Sequence, residues 1–265
     1  MQVQTVEPLA VIASRLGVEA MALAAENDLV LDANGAVGQL LAINNGHIVP
    51  PVSDDVRILV NIPQRMLFLF ERRLFERRVL VGAFPVAAGR ADMPTPLGDF
   101  HITVKVEQPE WDVPLSIQEE MRSQGRPVLT SVPPGPDNPF GDYWVGLSLP
   151  HIGIHGTNTP ASVYHHVSHG CMRMLPEHLN VFVSRVTEGM LGRVAYEPVL
   201  LARTKKGIFL EAHHDVYKLT RDKAINRVKT IAASGGFSKQ IDWEAVKQVL
   251  RAKEGVATFV GRTVQ

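Results

Sequence analysis

The stretch His151-Ile152-Gly153-Ile154-His155-Gly156-Thr157-Asn158-Thr159-Pro160-Ala161-Ser162-Val163-Tyr164-His165-His166-Val167-Ser168-His169-Gly170-Cys171-Met172-Arg173 holds the single cysteine of the 265-residue chain and five of its ten histidines. A thiol attacks as thiolate, so a catalytic cysteine with a free pKa of about 8.5 needs an imidazole or a positive field beside it. His155 and His169 supply the imidazoles. A lone cysteine is more often a small buried hydrophobe. Here Gly170 permits close backbone approach, and Ser168-His169 surround the thiol with polar groups instead of apolar ones. The local chemistry points to a nucleophile beside its bases.

A zinc reading competes, because His151, His155, His165, His166, His169 and Cys171 are all of the preferred ligand types. Zinc motifs carry fixed short spacings such as His-Glu-x-x-His or Cys-x-x-Cys, and the chain contains neither. The expectation is therefore no metal and no cofactor. Lys plus Arg and Asp plus Glu balance at 27 each, so no global field argues for nucleic acid or an anionic membrane. No apolar run approaches the roughly 20 residues of a membrane span. One cysteine cannot form an internal disulfide.

Working outward from the quoted stretch, strands are expected over Arg57–Ile62, Met66–Phe70, Phe75–Val81, Phe84–Val86, Phe100–Val106 and Trp144–Leu149, with Glu71-Arg72-Arg73 as a break. Many short strands interrupted by Pro and Gly indicate a mainly β, sandwich-like α+β catalytic domain. Residues 109–139 differ, with seven of the eighteen prolines around one predicted helix, Ser116–Ser123. A segment of that length between strands is usually functional or disordered. Pro176–Val186 reads as a helix behind the Cys171 turn, with Leu179, Phe182, Val183 and Val186 as its apolar stripe.

Upstream, residues 1–50 read as a small unit: a helix from Pro8 closed by Gly17, a second over Ala20–Glu26, a strand at Gln39–Ile43, and a Pro50-Pro51 linker. Downstream, residues 201–265 form a partly helical tail with a strand at Gly207–Glu211 and helices over Thr220–Ala233 and Ile241–Lys253, the latter closed by Gly255. His213-His214-Asp215 are expected to be an exposed polar turn.

The sequence around the cysteine resembles the active-site signature of L,D-transpeptidases with a YkuD-type catalytic domain. The match is carried by His155-Gly156-Thr157-Asn158, by Ser168-His169-Gly170-Cys171-Met172-Arg173 and by the upstream turn Thr95-Pro96-Leu97-Gly98, and it spans about residues 55–200. Many members have Ile-Gly where this chain has Val163-Tyr164, and a tyrosine does not readily take the positive φ of a glycine. The resemblance implies a cysteine-dependent acyl transfer on peptidoglycan stem peptides, with D-alanine leaving as a thioester forms on the cysteine. Cys171 is the implied nucleophile, His155 the base and the Gly156 carbonyl its orienting partner. The Gly170 and Cys171 N–H groups are the implied oxyanion donors, and His169, Ser168, Thr157 and Asn158 shape the site. Arg173 either pairs with a substrate carboxylate or braces the turn.

Residues 109–140 become a lid over the cleft, with Trp111, Asn138, Tyr143 and Tyr164 near the substrate. The acceptor is another stem peptide, a lysine of an outer-membrane lipoprotein, or water, so an L,D-carboxypeptidase is the near alternative and a non-catalytic wall-binding protein the far one. Residues 1–50 resemble a βααβ LysM module, which binds peptidoglycan glycan strands, through Val3, Leu9, Ile12-Ala13, Asn27 and Gly38-Gln39-Leu40. The usual Gly-Asp-Ser/Thr turn of that module is replaced by Val6-Glu7-Pro8. The implied compartment is the periplasm or cell envelope, reached after loss of a signal peptide, and the implied state is a monomer.

Overall fold

A computed structural model of the chain describes residues 1–73 and 76–263. The central feature is an eight-stranded sheet made of β1 (Ile58–Asn61), β2 (Met66–Arg73), β3 (Glu76–Pro85), β4 (Gly98–Glu107), β5 (Tyr143–Leu147), β6 (Gly153–His155), β7 (Met172–Arg173) and β8 (Leu191–Ala195). Its order is β7-β6-β5-β4-β8-β1-β2-β3. Pairs β8–β1 and β6–β7 are parallel and the rest antiparallel. Beyond β3, Ala87 forms an antiparallel bridge with Arg173 at the opposite edge, so the curled sheet nearly closes on itself.

Alternation along the strands sends Ile58, Val60, Leu67 and Leu69 to one face and Leu59, Met66, Phe68 and Phe70 to the other. Both sets are buried, which is why these segments read as continuous apolar runs. The first set packs, together with Phe84, Val145, Ile154 and Met172, against Leu179, Phe182 and Val183 of α4 (Pro176–Arg185). The ammonium of Lys105 ends that helix by donating to the carbonyls of Val183 and Val186, each at 2.8 Å.

Several expectations change in detail. Glu71-Arg72-Arg73 continue β2 instead of breaking it, and Phe84-Pro85 belong to β3. The start of the strand expected at Phe75 lies outside the described residues. The pattern gave no notice of β6, β7 or β8, because two- to five-residue strands within a sheet carry too few alternations to stand out.

The first fifty residues contain helices α1 (Leu9–Leu16) and α2 (Ala20–Glu26), flanked by a two-residue ladder pairing Glu7–Pro8 with Asn34–Gly35. Gly17 closes α1 at φ 68° and donates its N–H to Ala13 O. Gln39–Ile43 is not a strand: only Leu40 makes an isolated bridge, to Gln2. This unit has its own core, Val3, Leu9, Ile12, Ala13, Val18, Leu23, Ala24 and Leu41, and Val256 from the far end of the chain completes it.

The tail forms a three-stranded antiparallel sheet, β9 (Val199–Thr204), β10 (Gly207–Ala212) and β11 (Thr258–Gly261), covered by α5 (Ala224–Ser234) and α6 (Trp243–Ala252). Lys253 at φ 50°, not Gly255, caps α6. His213 is not in an exposed turn. It is buried and bonds through Nε2 to Glu211 (2.9 Å), a carboxylate that also accepts from His47 Nδ1 (2.8 Å), Gln64 Nε2 (2.8 Å) and the Ile48 N–H (2.5 Å). Pro50-Pro51 therefore follow a segment clamped to both the central sheet and the tail. Among the described residues no helix is long and apolar enough to cross a membrane.

Candidate active site

Strands β6 and β7 run parallel, with Ile154 opposite Met172 and His155 opposite Arg173. Ile154 and Met172 are buried in the core shared with α4, so alternation turns His155 and Arg173 to the other face. Cys171, two residues before Arg173, lies on that second side, and its sulfur is 3.6 Å from His151 O. The parallel register sets His155 opposite Arg173, two residues after Cys171.

His155 is 4% exposed. Its ring clusters with Phe140 (centroids 4.6 Å apart, tilted) and Trp144 (5.8 Å, stacked), which also stack on each other. Its Nδ1 is 2.8 Å from Gly156 O, which makes Nδ1 the protonated nitrogen and leaves the Nε2 lone pair as the base. Burial, and then the positive charge of Arg173, push the imidazole pKa down to about 3, against the opposing pull of the Gly156 and Pro139 carbonyls. Burial also raises the Cys171 thiol, partly offset by the Gly153 N–H and by Arg173. Both shifts favour the uncharged forms.

The turn before the cysteine is tightly bonded. Buried Ser168 donates through Oγ to Cys171 O (2.5 Å) and accepts the Gly170 N–H (3.2 Å). Gly170 sits at φ 110°, where a side chain is strained. Its carbonyl accepts from Thr95 Oγ1 at 2.8 Å. Of the two expected oxyanion donors, Gly170 N–H is occupied by Ser168, while Cys171 N–H meets no acceptor among the described residues. The main chain of Arg173 exchanges two hydrogen bonds with Ala87 (2.9 and 3.2 Å). Bracing is thus done by the backbone, and the half-buried guanidinium makes no hydrogen bond or ion pair among the described residues.

His169 turns elsewhere. Its Nε2 is 2.7 Å from Glu120 Oε2 and 3.2 Å from a guanidinium nitrogen of Arg90. Glu120 lies on α3 (Leu115–Ser123), the helix of the proline-rich insertion, so His169 fastens that insertion beside the nucleophile and is not placed as a second base. The insertion is ordered around Val113, Met121 and Val132, with Trp111 and Ile117 packed against them. Buried Asn138 ties it together by donating to Pro109 O and Val132 O. Trp111 reaches the site through Phe140 (5.9 Å), which stacks on Trp144 (4.6 Å). Tyr143 is partly buried and bonds to Glu107.

Thr157 is buried and holds the Thr159 N–H, while exposed Asn158 reaches Asp137 O. Both line a cleft of about 350 Å³ with Asn138, Gly141, Gly156 and Asn180, and neither Cys171 nor His155 is part of it. Tyr164 does not line the substrate cleft as expected. It is 2% exposed and packs with Leu59, Met66, Phe68 and Phe70, beneath the guanidinium of Arg65 at 4.1 Å. It does take the positive φ, 65°, at a strain of roughly 1–2 kcal/mol. Burial of its ring offsets that strain.

Sequence reasoning missed Phe140, Trp144, Glu120 and Arg90 as site neighbours. Trp144 was accessible in principle: Val145 and Leu147 mark the core side of β5, so Trp144 shares the face of its partner His155. Nothing in the sequence pairs Glu120 with His169.

The description of the YkuD L,D-transpeptidase catalytic domain matches residues 55–200, more than half of the chain. A Bacillus licheniformis protein named as the L,D-transpeptidase YkuD is 33% identical over 174 residues, covering 64% of this chain and 85% of its own. Escherichia coli K12 has one named as the L,D-transpeptidase YcfS, 25% identical over 263 residues, covering 96% of this chain and 80% of its own. Another from that strain, named YbiS, is 29% identical over 182 residues, and this chain spans only 56% of it. A solved L,D-transpeptidase from Mycobacterium tuberculosis H37Rv is 18% identical and covers 53% of this chain and 57% of its own at a TM-score of 0.37. With the family's domain matched over the residues that include His155 and Cys171, and a relative of one-third identity aligned over most of its length, this chain belongs to the L,D-transpeptidases with a YkuD catalytic domain.

Proposed function

We propose that the protein transfers the acyl group of a peptidoglycan stem peptide through a thioester on Cys171. The sulfur attacks the carbonyl between the third and fourth residues as His155 Nε2 takes the thiol proton. The carbonyl electron pair moves to oxygen and returns as the C–N bond breaks. The proton on His155 then passes to the departing D-alanine amine. An incoming amine reverses these steps and leaves a new amide. The observation that carries this reading is the 2.8 Å hydrogen bond of His155 Nδ1 to Gly156 O, which leaves Nε2 free as a base on the strand paired with the one that follows Cys171. The unpaired Arg173 guanidinium suits a substrate carboxylate, and the Cys171 N–H suits the developing oxyanion.

The 1–50 unit, with its strand–helix–helix–strand order, is read as a LysM-like module that holds glycan strands near the catalytic domain (55–200), with 201–265 as an extension. Peptidoglycan as substrate places the protein in the cell envelope, and an outer-membrane lipoprotein lysine and another stem's amine are the acceptors of interest. The test is mass spectrometry of the protein with a carbapenem, a β-lactam acylating mimic, and of muropeptide products. Wild type is expected to gain one adduct. Cys171→Ala gains none, and His155→Ala acylates about 100-fold slower. Iodoacetamide, but not EDTA, removes activity. An adduct on Cys171→Ala, or zinc-restored activity after EDTA, refutes the reading. Cross-linked dimers, lysine conjugates or bare tripeptides among the products identify the acceptor.

A further inference from the structure

A trans peptide is planar, so the Gly170 C=O and the Cys171 N–H occupy opposite edges of one rigid plate. Whatever holds that carbonyl aims that N–H. The holder is Thr95 Oγ1, at 2.8 Å, and Thr95 is itself 1% exposed and doubly fixed. Its Oγ1 accepts the Gly89 N–H (2.9 Å), and its own N–H donates to the Tyr217 hydroxyl (3.0 Å). The same hydroxyl donates to Gly89 O (2.7 Å). Gly89, Thr95 and Tyr217 thus form a closed ring of hydrogen bonds with one outlet, the Gly170 carbonyl. The ring is compact because residue 89 has no side chain: a Cβ there would lie 2.3 Å from Met93 O and 2.6 Å from Thr95 N.

Tyr217 comes from the tail, outside the residues that match the family domain, and its own position is well determined. Its ring stacks on Tyr196 (5.4 Å, 20°) and meets the edge of His166 at 6.1 Å. Its N–H donates to the Tyr196 hydroxyl (2.8 Å), which donates to Asp215 (2.7 Å). Asp215 also accepts the Leu219 and Thr220 N–H groups, each at 3.0 Å, and so closes the loop that presents the tyrosine.

We propose that Tyr217, acting through Thr95, is a positioning residue for the oxyanion site: the C-terminal segment sets the direction of the Cys171 N–H. This rests on the thioester reading above. In the carbapenem reaction the S–C bond forms, the carbonyl pair moves onto oxygen facing that N–H, the lactam C–N bond breaks, and the thiol proton reaches the lactam nitrogen by way of His155. Alkylation of Cys171 by iodoacetamide displaces iodide at a saturated carbon and builds no oxyanion. The two reactions therefore separate orientation of the N–H from the state of the thiol.

The experiment measures both rates, at saturating reagent and across pH, in the full chain. Tyr217→Phe and Thr95→Val are expected to slow acylation by about 10- to 100-fold, somewhat less than removing an oxyanion donor outright, with alkylation and its pH profile unchanged. Thr95→Ser, which keeps the hydroxyl, recovers most of the acylation rate. Unchanged acylation in Tyr217→Phe, or equal slowing of acylation and alkylation, overturns the proposal. Absence of any Cys171 adduct in the wild-type protein would instead overturn the thioester reading beneath it.

Discussion

Replacing Glu211 by glutamine tests how the three parts of this chain are held together. The carboxylate has no exposed surface. Oε1 accepts from His47, Gln64 and His213, while Oε2 accepts from the Ile48 N–H. A glutamine oxygen in place of Oε1 keeps three donors but turns its NH₂ toward the Ile48 N–H, donor against donor. The opposite rotamer sets that NH₂ against three donors. At least one charge-assisted bond is lost and a buried amide is left unsatisfied, together about 3 kcal/mol.

The titration of the carboxyl gives the same scale. Burial raises its pKa, but the hydrogen bonds from His213 and His47 prevail and bring it from 4.5 down to about 2, which at 1.36 kcal/mol per unit is again about 3 kcal/mol. For a chain of this size that corresponds to a melting-temperature loss of roughly 6–12 °C. A depressed carboxylate stabilises above its unfolded pKa and loses that contribution as pH falls through its folded one. The gap between wild type and Glu211→Gln should therefore be full above about pH 4.5 and shrink toward pH 2. Thermal denaturation followed by circular dichroism across pH measures it. A variant melting within about 1 °C of wild type at pH 7, where the ledger requires several degrees, would refute the account of Glu211 as the clamp.

Because His155 is depressed to about 3, its neutral base form is complete well below neutrality, while Cys171 is shifted upward and stays a thiol. Carbapenem acylation should accordingly vary less than about threefold between pH 5 and 8, and a tenfold rise centred near the ordinary histidine value would show that His155 titrates normally. Deleting residues 1–50 removes His47 and Ile48 from Glu211, Glu19 from its 2.7 Å pair with Arg65, and the core that covers Val256. The truncated protein should melt at least several degrees lower by the same reckoning and bind purified sacculi less. A truncation with unaltered melting would show the unit to be an independent appendage, and unaltered sedimentation would argue against its LysM-like reading.

A candidate nucleophile beside imidazoles was legible in the residues themselves, because Ser168-His169-Gly170-Cys171 and His155 show their functional-group types directly. The proposed roles of His155 as base and of the Gly156 carbonyl as its orienting partner came from the family resemblance. The buried strands β1 and β2 and the helix α4 were equally readable, since long apolar runs and a 3.6-residue stripe are local signals.

What required the tertiary structure is everything set by register and burial. The parallel pairing of β6 with β7 sets His155 opposite Arg173, and strands this short leave no pattern in sequence. Burial beside Phe140 and Trp144 lowers the pKa of the His155 imidazole, a shift set by surroundings that no linear spacing encodes. Tyr164, expected near the substrate, is buried under Arg65 instead. His169 bonds a helix of the proline-rich insertion some fifty positions away in sequence, and Tyr217 reaches Gly89 and Thr95 from the tail. Those contacts are long-range hydrogen bonds, and a sequence fixes which groups exist long before it shows which of them meet.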